Sequence, residues 1–214
     1  MPTQSIFTWR DGGGWLVLSG GTEPTGAIRA KVIERLDVDG ALAVIVLDDA
    51  AAADDVLNDM QELGGPAGYL VNAMTEDDNT IKQQLTDAAI VVVSSSAPPR
   101  EVKSYVLGAV IAGVEAAHDR GAIILAEGTA ASVFGAYLLD GETVVDGINW
   151  LEHAGVLPES VGLAETAAAQ IMMAEYADVI MVGISVGAAL AFGDTLEAWG
   201  NKQITIAPGT AYSQ

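Results

Sequence analysis

Residues Ala122–Ala136 read AIILAEGTAASVFGA: an apolar run, a Gly–Thr turn, then small residues of helix composition. Ala122–Ala126 is too short for a helix and has no polar alternation, so it reads as a strand covered on both faces. The same theme recurs outward from it. Trp15–Gly20 (WLVLSG), Ala41–Leu47 (ALAVIVL), Gly68–Asn72 and Ala88–Ser94 (AAIVVVS) are further strands. Helical patterns lie between them at Ile28–Leu36, Ala52–Leu63, Asp77–Asp87 and Val102–Arg120. Gly64-Gly65-Pro66 stops the second, Pro98-Pro99 precedes the fourth and Gly121 closes it. Strands of Val, Ile and Leu alternating with helices predict an α/β fold, a doubly wound and mostly parallel sheet with helices on both faces.

After about residue 136 the pattern changes. Thr143–Asp146, Val179–Ile184, Ala188–Phe192, Thr195–Trp199 and Gln203–Ala207 read as shorter strands joined by Gly-rich turns, and Ala164–Tyr176 as a helix. These either extend the same sheet or form a small antiparallel flap. No repeat or linker divides the chain, so its 214 residues are expected to form one domain. Residues 15–136 would be its parallel core and 137–214 its extension.

The chain is half apolar, with a mean hydropathy of +0.35, which suits a packed core and not a disordered chain. No charge-free apolar window reaches the roughly 18 residues of a membrane span. Met1–Gly14 lacks the basic and apolar regions of a signal peptide. The expectation is a cytoplasmic protein. Its net charge of −20, from 29 acidic and 9 basic residues, disfavours nucleic acid and anionic membrane surfaces as partners. The acids are dispersed, which suits solubility in high salt; a negative cleft for a cationic ligand is the other reading. Cysteine is absent and histidine occurs only at 118 and 153, so thiolate chemistry is excluded and any Ser–His relay must use one of these two. Gly12-Gly13-Gly14 precedes its strand and has no Gly-Lys-Ser/Thr attached, so it is not a phosphate loop, and no cofactor is expected. Tryptophans 9, 15, 150 and 199 read as packing anchors.

The strand–turn–small-residue junction at Gly128 has the layout of a nucleophile elbow, in which a strained turn lifts a hydroxyl above the sheet and helix-start N–H groups stabilise an oxyanion. Its frame, Gly128-Thr129-Ala130-Ala131-Ser132, lacks the central hydroxyl. Ser132 falls in the first helical turn, where a hydroxyl more readily bonds backbone. Glu127 ends the strand just before the turn, where burial could alter a carboxylate or helix N–H groups could stabilise it. His118 lies near the end of a helix, about 15–20 Å from the elbow at roughly 3.3 Å per strand residue. It reads as a partner of the helix dipole. His153 follows Trp150-Leu151-Glu152 in a loop or short helix that could approach the cleft. Glu23, Asp48 and Asp49 sit at strand C-terminal ends, where carboxylates could hold a divalent cation. In a chain this acidic their placement needs no metal, and none is assigned.

The order of these elements resembles the dipeptidase E and cyanophycinase family of serine peptidases, which have a class I glutamine amidotransferase-like, flavodoxin-like three-layer fold. The resemblance runs from Trp15 to about Pro208. It rests on Gly20-Gly21, on the approach to Gly128-Thr129, on Gly155-Val156-Leu157-Pro158 and on Val182–Leu190. Family members read Gly-Thr-Ser-Ala-Gly at the elbow, which implies that Ala130 stands on the serine and Ser132 on the second glycine. They carry Gly-Gly-Asp or Gly-Gly-Asn where this chain has Ser94-Ser95-Ser96-Ala97-Pro98. The histidine implied after the Leu-Pro segment is missing from Glu159–Thr166, and Ser185 and Val186 stand where an acidic residue is implied. Four departures together point to a non-hydrolytic member with a small-molecule or peptide cleft. The rivals are a hydrolase using Ser132 or Thr129 with His153, and a homodimer or larger assembly built on Val106–Val114 and Ala167–Met173.

Overall fold

A computed structural model describes residues 6–163 and 166–212. Along the chain run β1 (Trp15–Ser19), α1 (Ala27–Glu34), β2 (Ala41–Val46), α2 (Ala50–Glu62), β3 (Gly68–Asn72), α3 (Asp78–Thr86) and β4 (Ala88–Ser95). Next come α4 (Pro99–Val106), α5 (Ala109–Asp119), β5 (Ile123–Gly128), α6 (Thr129–Val133), β6 (Gly135–Asp140), β7 (Thr143–Asp146) and β8 (Leu151–Pro158). The chain ends with α7 (Ala167–Glu175), β9 (Ile180–Ile184), β10 (Ala188–Phe192), β11 (Leu196–Gly200) and β12 (Ile204–Pro208).

A seven-stranded sheet has the order β11-β10-β1-β5-β4-β2-β3. Its five strands from β1 to β3 are parallel, and β10 and β11 are antiparallel additions. Alternate side chains of these strands go to opposite faces. Val17, Val44, Val92 and Leu125 pack with Ile28 and Val32 of α1 and Val56 and Met60 of α2. Leu18, Ile45, Val93 and Ile124 pack on the other face with α3, α4, α5 and α6. Both faces are therefore dry, which is why the strands read as unbroken Val, Ile and Leu. The α/β, doubly wound, mostly parallel architecture expected from the sequence is the one observed.

The C-terminal third is more than an extension or flap. β10 and β11 do extend the main sheet, but the other late strands form a second sheet, β12-β9-β8-β6-β7, with β6, β8 and β9 parallel. Its strands β6 and β8 escaped the sequence reading, and His153 lies on β8 instead of in a loop or helix. Leu151, Val156 and Val182 join this sheet to the main core, while α7 covers its outer face through Ala169 and Met172. The expected start of that helix at Ala164 falls outside the described residues.

The single long helix expected over Val102–Arg120 is two helices. Leu107 is extended and Gly108 has φ 82°, ψ −125°, a conformation that interrupts the helix and suits glycine. Val102, Val106, Val110 and Val114 keep four-residue spacing across the break, and all are buried, so the periodicity conceals it. The two apolar stretches offered as an interface each send some residues into the core. Val106, Val110, Val114, Ala169 and Met172 are buried, and Leu107 is half exposed. The four tryptophans act as packing anchors: Trp15 stacks near Trp199, Trp150 meets Phe134, and Trp9 meets Phe192.

Candidate functional site

The connections leaving β1 and β2 cover one face of the main sheet with α1 and α2, whereas those leaving β4 and β5 cover the other. In the sheet β5 and β4 lie side by side between β1 and β2. The chain thus diverges on both sides of this pair, which opens the crevice that parallel α/β sheets use for ligands. A cleft of about 290 Å³ occupies that place. Each strand end contributes to it: Gly21 and Thr22 after β1, Asp48 and Asp49 after β2, Ser94–Ser96 from β4, and Glu127 and Gly128 from β5. Glu159, just past β8, closes the rim.

Close backbone contact builds this rim. A Cβ on Gly20 would lie 2.3 Å from the carbonyl oxygens of Ile184 and Ser185, so only glycine lets β1 run this close to the second sheet. Glu159 N–H donates to Gly20 O at 3.2 Å, and Glu159 takes a left-handed φ of 55°.

The floor of the cleft holds a buried ion pair. Arg29 Nε donates to Glu127 Oε1 at 3.1 Å and Arg29 Nη2 to Oε2 at 2.6 Å, a two-pronged fork. Arg29 is 3 % exposed and Glu127 2 %. The remaining guanidinium contacts go to Asp59 Oδ2 at 2.7 Å and Thr22 Oγ1 at 3.1 Å. Burial opposes the Arg29 charge, but the hydrogen bonds and charges of Glu127 and Asp59 outweigh it and raise its pKa above the ordinary value. Glu127 is thus stabilised by a guanidinium and not by helix N–H groups. The sequence reading missed Arg29. Its signal was a basic residue beside Ile28 on an apolar helix face, but the partner lies 98 residues away.

At the turn itself, Gly128 has φ 59°, ψ −136°, a strand-to-helix conformation open to glycine and strained for other residues. Gly128 borders the cleft, whereas Ala130 and Ala131 lie inside α6 and are fully buried. The positive-φ turn residue thus lies two residues before Ala130. Ser132 is 4 % exposed and its Oγ donates to Thr129 O at 2.7 Å, the backbone bond expected of it. Thr129 is half-buried at the first position of α6.

The two histidines are elsewhere. His118 lies at the end of α5, against Gly12 and Trp150 and beside the start of β5, so the strand separates it from the elbow. Burial and the nearby Arg10 charge pull its pKa from 6.5 to about 4, so at neutral pH it carries no charge to offer the helix dipole. His153 is half-exposed with φ 55°, and its Nδ1 is 2.8 Å from Asp178 Oδ2. It borders a separate depression with Tyr137, Asp146 and Glu152. Neither Ser132 nor Thr129 is hydrogen-bonded to it.

The three carboxylates considered for a cation do not converge. Glu23 Oε1 accepts from Thr25 Oγ1 and Ala27 N–H, and Asp49 caps α2 through Ala51 and Ala52 N–H. Among the described residues no group of three or more His, Cys, Asp or Glu side chains is placed to hold a metal. Ser185 Oγ donates to Ser160 O, outside the cleft. The site thus offers carboxylates and hydroxyls for hydrogen bonding, with no imidazole among its lining residues. No described helix is long and apolar enough to cross a membrane.

These features define an α/β protein with a switch-point cleft at a strand-to-helix turn, and solved structures share its fold. A peptidase from an acI-B1 Actinobacterium superposes with a TM-score of 0.71 at 17 % identity, over 92 % of this chain and 93 % of the other. A candidate peptidase E from Listeria monocytogenes EGD-e superposes with a TM-score of 0.64 at 12 % identity, over 88 % and 99 % of the respective chains. The chain therefore has the fold of these peptidases. No protein-family model and no curated protein matches it.

Proposed function

We propose that this chain is a non-hydrolytic protein of peptidase E-like fold, using its switch-point cleft to bind a small molecule or peptide. The observation that carries the proposal is Gly128, which occupies the strained elbow position with no side chain. A serine-type elbow needs a hydroxyl at that position and a base within roughly 2.6–3.2 Å of it. Here the nearest hydroxyls in sequence belong to Thr129, inside α6, and to Ser132, which is committed to backbone. Both histidines are held outside the cleft, and Glu127 spends both oxygens on Arg29. On this reading Gly128, and not Ala130, stands in the nucleophile's place.

The test is chemical. A fluorophosphonate probe leaves the purified chain unlabelled, and Asp-containing dipeptides and cyanophycin release no amino acids. Turnover that survives purification and disappears in Ser132→Ala would overturn the proposal.

A further inference from the structure

Residues 6–14 lie across the join between the two sheets. On the smaller sheet Trp9 bridges to Leu151, Arg10 N–H donates to Trp150 O at 2.7 Å and Glu152 N–H donates to Thr8 O at 2.9 Å. On the larger sheet the rings of Phe7 and Trp9 pack on Phe192, and Trp9 Nε1–H donates to Gly193 O at 3.2 Å. The segment ends in Gly12-Gly13-Gly14, a run that the cleft does not explain. A Cβ on Gly12 would lie 2.2 Å from His118 Nδ1, and one on Gly14 2.0 Å from Ala122 O. Glycine at these positions lets the segment lie directly on the end of α5.

His118 is sealed beneath it. The imidazole is 2 % exposed, its ring is 5.1 Å from Trp150, and its Nδ1 has no hydrogen-bond partner among the described residues. Protonating the ring places a charge beneath the strap, where Nδ1 has no partner among the described residues, and that costs desolvation until the segment moves away.

We propose that residues 6–14 form an acid-released strap, seated across the two sheets while His118 is neutral and freed when His118 is protonated. Charged groups on every side bear on this equilibrium. From the strap comes Arg10, which ion-pairs with Asp119 and Glu115 of α5 and lies over Trp150. Asp11 of the strap and Asp194 beyond β10 border the same depression. Burial, reinforced by Arg10, pulls the His118 pKa from 6.5 to about 4, against the opposing effects of Asp119 and a Gly14 backbone hydrogen bond. The seated state therefore binds the proton more weakly than the released one. Seating is complete above about pH 6.5 and weakens as pH falls toward 4, by up to about 300-fold in the seated-to-released ratio.

NMR of the full chain between pH 7.5 and 3.5 tests this, because only two imidazoles need assignment. The readouts are the His118 ring titration and the exchange protection of the Arg10 and Glu152 amides, corrected for intrinsic exchange. His118 is expected to titrate near 4, and strap protection to fall about 30-fold between pH 7.5 and pH 5. In His118→Gln that fall disappears. Should the variant not fold, the wild-type titration decides alone. An imidazole titrating near its ordinary value, or strap amides that stay protected as His118 takes its proton, overturns the proposal. So does a fall in protection that persists in His118→Gln.

Discussion

Replacing Arg29 with methionine isolates the physics of the cleft floor. The substitution keeps an unbranched side chain in α1 but removes the fork that holds Glu127. Glu127 is 2 % exposed and would be left as an unpaired buried charge, whereas the Asp59 side chain is 58 % exposed and returns to water at little cost. Breaking such a pair from one side costs about 3–5 kcal/mol. Against a total stability of roughly 5–15 kcal/mol, that is a large fraction. Urea unfolding reads it directly: at an m near 2 kcal/mol per M, the midpoint falls by about 2 M with the slope unchanged. Glu127→Gln is expected to cost less, about 1.5–3 kcal/mol, since Arg29 keeps Asp59 and Thr22. The double variant Arg29→Met/Glu127→Leu should be more stable than Arg29→Met alone, because no buried charge remains. A loss below about 1 kcal/mol in Arg29→Met, or a double variant as unstable as the sum of the singles, would refute the reasoning.

Two glycine substitutions probe the same region. Gly20→Ala drives a methyl to within 2.3 Å of two backbone oxygens, and should destabilise by about 1–3 kcal/mol or more, read as a lower urea midpoint. An unchanged midpoint would show that the two sheets separate easily there. Gly128→Ser puts a hydroxyl at φ 59°, where strain should cost about 1–3 kcal/mol and lower Tm by a few degrees. On the proposed reading the variant should still resist fluorophosphonate; a gain in stability would contradict the reading that this conformation needs glycine.

How much of this was legible in the sequence depends on what each element touches. β1, β2, β4 and β5 could be read almost to the residue because both faces are dry, and dryness writes an unbroken apolar run. β8 reads LEHAGVLP: exposed Glu152 and His153 and a terminal proline broke the pattern, although Leu151, Ala154 and Val156 are buried. Its strand character comes from pairing with β6 and β9, which are distant in sequence and thus invisible to a local reading. Gly108 interrupts a helix whose spacing continues across it, and a lone glycine in such a pattern is ordinarily tolerated. At the strand-to-helix turn the sequence identified the junction but not that Gly128 carries its positive φ. Glu127 could be singled out by position, but its environment could not, because a buried guanidinium from α1 decides it.

The Arg29 network and the turn at Gly128 are neighbouring features of one cleft. Arg29 starts on α1 and reaches β5 through Glu127, α2 through Asp59 and the loop after β1 through Thr22. One guanidinium thus ties three strand-end connections to a single geometry on the α1 side of the crevice. Such a network adds little net stability compared with apolar packing, since desolvating two charges offsets most of their attraction. What it supplies is a fixed arrangement, because each buried donor and acceptor is satisfied in only one placement of the elements. A hydrolytic elbow needs a carboxylate or imidazole free to move a proton, and this floor commits its carboxylate to a permanent cation. Such rigidity fits the binding role proposed above, because a preformed cleft spends less of its binding energy on ordering itself. The double variant would therefore recover stability without recovering the fork, so a cleft that holds its shape in that variant would show that the ion pair is not what shapes it.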